Sequence, residues 1–231
     1  MAFALRIPEM AQRDRFMRRA VQQSYVFAVT SEDGFARLPS SAGGGRELTL
    51  LWSSRTEAER WAPLIAAGAT VEGVSLDALV GEVLPVLAKS GWRVGPDWNA
   101  QAIEPEVEAA DLADRMRLEL LDKFAQDVRA AGSLWVLEDA QGPALFVSIT
   151  RPELLFMPCW SQRAHAEARL SGAWSHMRPL EVSLDSFVGL TLPWLALRGW
   201  LVGPEHWAGP GALEVAPGDL KARLVTRPVA A

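Results

Sequence analysis

Residues 75–97 read SLDALVGEVLPVLAKSGWRVGPD, and residues 183–205 read SLDSFVGLTLPWLALRGWLVGPE. In the first stretch Leu76, Leu79, Val80, Leu84 and Leu87 fall at steps of 3, 4, 8 and 11, and Leu184, Phe187, Val188, Leu192 and Leu195 repeat that spacing. An apolar stripe recurring every three to four residues is the pattern of a helix lying on a core. Asp77 and Asp185 near its start suit unpaired amides and the positive dipole end, and Gly91 and Gly199 suit its C-terminal cap. Inside the helix, Pro85 and Pro193 remove one backbone bond and push a ring at the carbonyl of Gly81 or Gly189, four residues earlier. A kink centred on each Gly-to-Pro step is therefore predicted, its simplest use being to wrap the helix around its sheet. Beyond the capping glycine an apolar strand follows, and Gly-Pro then forces a turn.

Working outward, a shift of 108 positions aligns residues 52–97 with residues 160–205 without a gap, and 20 of those 46 positions are identical. This is a tandem duplication. The same offset relates Asp14 to Asp122, Phe16 to Phe124, and DLADRM at Asp111 to DLKARL at Asp219, with a residue or two inserted after Glu205 so that Trp98 matches Trp207. A chain of 231 residues suffices for two cores of ordinary size. The expected organisation is two tandem modules, residues 1–117 and 118–231.

Each module reads as the same string of elements. An amphipathic helix, with Phe124 and Val128 on one side, leads to two strands joined by a turn at Gly142-Pro143, or around Gly34 in the first module. A short apolar strand ends in Trp52 or Trp160. The next residue, Ser53 or Ser161, is placed to cap the helix that carries Arg55 and Glu59, or Arg163 and Glu167. The alternation of Leu180, Val182 and Leu184 predicts one more strand before the long helix. The fold class expected is α+β: two copies of a small module, each a mostly antiparallel sheet packed against helices. The copies are expected to pair within the chain as two subunits of a homodimer would.

Composition excludes several classes of function. Hydrophobic residues make up 49% and charged residues 22%, as in an ordinary globular protein. A formal net charge of -5 and the lack of a basic stripe speak against nucleic acid. The mildly basic run from Arg13 to Arg19 includes Asp14 and reads as the polar face of a helix. Charges at Arg6, Glu9, Arg13 and Asp14 leave no signal-peptide core. The uncharged run Ser186 to Leu197 is 12 residues, against about 20 needed to cross a bilayer. With Cys159 as the single cysteine, these features point to a cytoplasmic protein without membrane contact.

Candidate chemistry is sparse. Ten tryptophans stand against one tyrosine. Trp52, Trp92 and Trp98 recur as Trp160, Trp200 and Trp207, as core packing demands, an aromatic groove being the alternative. Arg55 with Glu59, and Arg163 with Glu167, are spaced as i,i+4 ion pairs. An arginine fork also binds carboxylate or phosphate bidentately, so these four residues, with Trp52 and Trp160, form the candidate ligand-binding set. His165, His176 and His206 have no histidine counterparts, and neither HExxH nor paired cysteines occur; no metal site and no cofactor are expected. Cys159 reads as a buried thiol, not a nucleophile. The glycine loop SAGGGRE at Ser41 lacks the lysine and spacing of a phosphate loop. Asp97 and Glu205 are acidic at corresponding points, one per module, which is not an acid/base pair, and no catalytic residue is assigned.

The motifs LWSSRTEAE with VSLDALVGEVLPVLAKSGWRVGPDW, and their copies CWSQRAHAEA with VSLDSFVGLTLPWLALRGWLVGPEHW, resemble the bacterial family called domain of unknown function 2750. The likeness runs from about Asp14 to Trp98 and from about Asp122 to Trp207. It implies a small intracellular α+β module and brings no activity with it. The departure is that the motif occurs twice in one chain. The function expected is that of a non-enzymatic, protein-binding or regulatory protein, immunity-like in character, whose partner is another protein. The alternative is a small-molecule binder or enzyme using a cleft between the modules.

Overall fold

A computed structural model describes residues 5–99, 104–149, 151–205 and 213–226; Trp207 and His206 lie outside the described residues. The chain divides into two compact units, Met1–Glu119 and Leu120–Ala231. The first contains α1 (Ile7–Gln23), β1 (Tyr25–Ser31), β2 (Gly34–Phe35), β3 (Leu38–Pro39), β4 (Glu47–Trp52), α2 (Arg55–Ile65) and β5 (Thr70–Ser75). A composite helix follows, made of α3 (Leu76–Ala78), a π segment (Leu79–Val83) and α4 (Leu84–Lys89), then β6 (Arg93–Pro96) and β7 (Val107–Glu108). The division falls inside α5 (Ala109–Ala131).

The first unit's sheet has the order β2-β1-β4-β6-β7, with β5 also on β1 and β3 also on β4. Its pairings are antiparallel except β4 with β6, which run parallel from Leu48↔Arg93 to Leu51↔Pro96. A parallel pair needs a crossover connection. Here α2, β5 and the composite helix supply it.

The second unit repeats the plan with β8 (Ser133–Asp139), β9 (Gly142–Pro143), β10 (Phe146–Val147), β11 (Leu155–Cys159), α6 (Arg163–Glu167) and β12 (Arg178–Ser183). Then come α7 (Leu184–Ser186), a π segment (Phe187–Thr191), α8 (Leu192–Leu197), β13 (Leu201–Pro204) and α9 (Pro217–Val225). Strand β12 lies antiparallel on β8, and β11 runs parallel to β13 from Phe156↔Leu201 to Cys159↔Pro204. A bridge between Val202 and Val215 stands where Val94 pairs with Val107. Between β8 and β11 only the Trp135↔Trp160 bridge forms, where the first unit pairs both Phe27↔Trp52 and Ala28↔Leu51. The second sheet is therefore split into two three-stranded ladders.

Two local expectations are corrected. Gly142-Pro143 is not the hairpin turn: the turn falls at Ala140-Gln141, and Gly142 and Pro143 form β9. The strand after it is broken, so β9 pairs with β8 while β10 pairs with β11. A proline cannot donate to the ladder, which favours so short a pairing. The helix irregularity lies where proline placed it but takes the form of a wide turn. The Leu84 N–H reaches back five residues to Leu79 O, and that of Leu192 to Phe187 O.

Cores form where the stripes predicted them. Val29, Leu48, Leu50, Trp52, Ala58 and Ala62 pack together in the first unit, with Trp61 and Trp98 at the edge. Phe124, Val128, Phe187, Leu192 and Leu195 pack in the second, joined by Leu220 and Leu224 of α9.

Helix α1 ends at Ser24, whose φ of 62° is left-handed, and Ser24 O accepts from Leu76 N–H at 2.9 Å. At the equivalent place Gly132, φ 71°, accepts from Leu184 N–H. A side chain in that conformation costs about 1 kcal/mol. Ser24→Gly should thus raise the unfolding free energy by up to about 1 kcal/mol in urea titrations. Gly95 is the opposite case, because a methyl there would overlap Leu50 Cδ2 and Trp98 Nε1. Gly95→Ala should cost about 1–3 kcal/mol in the same measurement.

Candidate functional site

The two parallel strand pairs end in the same construction. Asp97, just past β6, is left-handed with φ 49°, and its N–H extends the ladder to Leu51 O at 2.8 Å. Its carboxylate turns back to accept the Ser53 N–H at 2.6 Å and the Ser53 hydroxyl at 2.8 Å. In the second unit Glu205, φ 47°, donates its N–H to Cys159 O at 2.8 Å. Its carboxylate accepts the Ser161 N–H at 2.8 Å and the Ser161 hydroxyl. The serine after each tryptophan is therefore not a helix cap as expected. Each helix starts two residues after that serine, at Arg55 or Arg163, so the cap position falls on the residue between. Ser54 caps α2 instead, accepting from Glu57 N–H, and Gln162 precedes α6 without a side-chain cap.

The same clasp sits in two electrostatic settings. Burial raises the Asp97 pKa, opposed by the Ser53 hydrogen bonds and by the charges of Arg19 and Arg15. Burial also works against a charged Glu205, but His165 and Ser161 together hold its carboxyl below the usual range. His165 Nδ1 lies 2.8 Å from the second Glu205 oxygen, and that bond raises the imidazole pKa. Burial, then the Glu205 charge, pushes the Cys159 thiol well above its ordinary value, leaving it a neutral core group.

A second clasp, not read from the sequence, repeats at the same offset. Glu106 accepts the Ser40 hydroxyl at 2.5 Å and the Ser41 N–H at 2.8 Å. Glu214 accepts the Ser148 hydroxyl and, at 3.0 Å, the Ile149 N–H. The signal was available, since Ser40/Ser148 and Glu106/Glu214 stand 108 apart, outside the window of strong identity. In the first unit buried Arg93 adds bonds to Glu106 O at 2.7 Å and Glu108 at 3.0 Å; the second unit has Leu201 there.

The sequence-predicted set divides. Arg55 pairs with Glu59 at 3.4 Å and Arg163 with Glu167 at 2.7 Å, all four side chains about half exposed. The guanidiniums lie 5.5 Å over the rings of Phe27 and Trp135 respectively. Trp52 and Trp160 are core residues, 0% and 1% exposed. Arg55 and Glu59 line a cleft of about 350 Å³ with Gly68 and Thr70. Trp52 belongs to another cleft, of about 360 Å³, at the carboxyl ends of β4 and β6. Arg15, Arg19 and Arg60 reach that second cleft beside Ser53, Asp97 and Trp98. Arg15 and Arg19 belong to the run from Arg13 to Arg19, whose sequence alone reads as a solvated helix face. Gln12, buried on the same helix, fixes the geometry by donating to Pro96 O at 3.3 Å and to Asp97 O.

Among the described residues, no group of three or more His, Cys, Asp and Glu is placed to hold a metal ion, and no helix is long and apolar enough to cross a membrane.

The His165–Glu205 pair makes a pH prediction. A His pKa raised above its unfolded value of about 6.5 gives stability fully present below that pH and lost as pH rises through the folded value. Glu205, its pKa lowered, gives stability present above the ordinary carboxylate value and lost as pH falls through its own. With the imidazole half exposed, the His165 contribution is at most about 1 kcal/mol. Urea unfolding at pH about 5.5 and 8.5 should show this alkaline loss in the parent chain and not in His165→Gln. Equal losses in both would dismiss the pair.

Comparison with known proteins adds the family. No curated protein matches the chain. Among solved structures, Anabaena Tic22, described as a protein-transport protein, matches at 15% identity over 93% of this chain and 98% of that one, with a TM-score of 0.26. Tic22 from Plasmodium falciparum matches at 7% identity over 74% of this chain and 84% of that one, with a TM-score of 0.25. Scores this low leave neither likeness any bearing on fold or function. The description "Protein of unknown function (DUF2750)" matches residues 13–116 and again residues 121–224, and the chain belongs to that family as a tandem duplication of its domain.

Proposed function

We propose that the protein is a non-enzymatic binding module, regulatory in role, whose partner is another protein. What carries the reading is a helix face that differs between the copies. On the second unit's composite helix Leu190 and Leu197 are 72% and 85% exposed, with half-buried Trp194 between them. The equivalent first-unit positions are Glu82, Val86 and Lys89. Two exposed leucines and a tryptophan on one face of a helix, where the sister copy carries Glu82, exposed Val86 and Lys89, make this face the more apolar of the two and support its use as a docking surface. Arg198 lies 4.4 Å over the Trp194 ring at its edge. The partner surface that fits is apolar at its centre with a carboxylate at its rim.

The geometry of the polar groups supports the non-enzymatic part. Ser161, Glu205 and His165 are the residue types of a hydrolytic triad, but here the carboxylate stands in the middle, bonded to the serine hydroxyl on one side and the imidazole on the other. A nucleophilic serine requires the imidazole between hydroxyl and carboxylate, as the base that takes its proton.

The test is affinity capture with the full-length chain, comparing the parent with the Leu190→Glu/Leu197→Glu double variant. Both side chains are exposed, so folding should survive. A specific protein captured by the parent should bind the variant at least about tenfold more weakly, since burying two leucines is worth several kcal/mol. Capture that ignores the double substitution, or no capture alongside turnover of a metabolite, overturns the reading.

A further inference from the structure

The cleft at the carboxyl ends of β4 and β6 sets two arginines of α1 against the Asp97 carboxylate. Gln12 is tied to the backbone of Pro96 and Asp97. Arg15 and Arg19, three and seven residues further along α1, share the face Gln12 directs at the end of β6. Both guanidiniums are exposed and, at i and i+4, repel one another. Among the described residues neither closes a salt bridge. The carboxylate they face, Asp97, already has both oxygens engaged by Ser53.

The other copy answers the same positions differently. Lys123 and Asp127 replace Arg15 and Arg19 and neutralise each other at 2.6 Å. One copy has closed its charges into an internal pair; the other keeps two cations open to a cleft of about 360 Å³. That size lies in the range of small-ligand sites. Trp98 lines it, and Arg60, held by Glu57 at 3.0 Å, adds a third guanidinium.

We propose that this cleft binds a small organic oxyanion, a molecule with a phosphate or carboxylate group held by Arg15 and Arg19 and a planar body lying against Trp98. Two guanidinium forks supply the parallel N–H donors such groups accept. The site lies wholly in the first unit and is independent of the protein partner proposed for the second.

Calorimetric titration of the full-length chain tests it, with phenyl phosphate and benzoate as probes and phenol as the neutral control. At least one anionic probe should bind saturably with one-to-one stoichiometry, phenol should not, and the tighter anion identifies the head group. Arg19→Asp recreates the second copy's ion pair and should weaken binding at least about tenfold, as should Arg15→Gln. Asp127→Ala in the second unit should leave it unchanged. Both arginines are exposed, and melting curves matching the parent will show the variants folded. No binding of either anion at about 10 mM, or binding that survives both arginine substitutions, overturns the proposal.

Discussion

A parallel pair of adjacent strands has no hairpin to set its register, because a long crossover separates the two in sequence. In each unit a carboxylate does that work. Asp97 and Glu205 extend the ladder by one N–H and then fold back, in left-handed backbone, onto the serine two residues beyond the bonded carbonyl. The left-handed conformation costs a non-glycine residue about 1–2 kcal/mol. Two hydrogen bonds to a charged acceptor return about 1.5–3 kcal/mol each. At Glu205 the bonds from Ser161 and His165 outweigh burial of the charge, at Asp97 burial outweighs the bonds from Ser53, and in both units the clasp holds the same register. The crossover elements hang from it: α2 begins directly after Ser53, and the composite helix must return the chain to Arg93 or Leu201.

Given a fixed clasp, its neighbours decide its electrical character. In the first unit the flanking groups are arginines from α1, which oppose the burial of Asp97 from a distance. In the second, His165 occupies the position of Glu57 and bonds the carboxylate directly, so the acid there is held below its usual pKa and not above it. One geometry thus yields an acid disfavoured by its surroundings in one copy and favoured in the other. The difference arises at positions where the two copies have drifted apart.

The sequence was most informative where one residue's chemistry dictates one local outcome. The stripes of the composite helix and the left-handed glycines 91 and 199 at its end follow from periodicity or from backbone permissiveness, whereas Trp52 and Trp160, counted in the ligand-binding set, are core residues. The duplication made each of these readings twice over. The clasps were beyond it, because Ser53 beside a helix start has a local use as a cap, and nothing local says that a carboxylate 44 residues later will take the hydroxyl. The π segments show the same limit more gently. Proline located the irregularity, but whether the freed carbonyl bends the helix or widens one turn depends on packing. Arg15 and Arg19 were hidden for another reason: on one helix they look like solvated charge, and only Gln12's attachment to β6 shows which way that face points.

Duplication separates what the fold needs from what it merely permits. Residues identical at the 108-residue offset include Leu76, Val80, Leu84 and Leu87 of the apolar stripe, the capping glycine, the Gly-Pro that ends β6 and β13, and the clasping serine. Each is under a constraint that acts within its own unit, so both copies answer it alike. Exposed positions are less constrained, though the Arg55–Glu59 pair is kept as Arg163–Glu167, and the units diverge at two of them: the first keeps two arginines beside a cleft, while the second has Leu190 and Leu197 where the first has Glu82 and Lys89. An unpaired like-charge couple and two solvated leucines are each slightly unfavourable to an isolated chain. The two features fall in different copies, one at a cleft and one on a helix face, which is the difference a division of labour between the two proposed surfaces would produce.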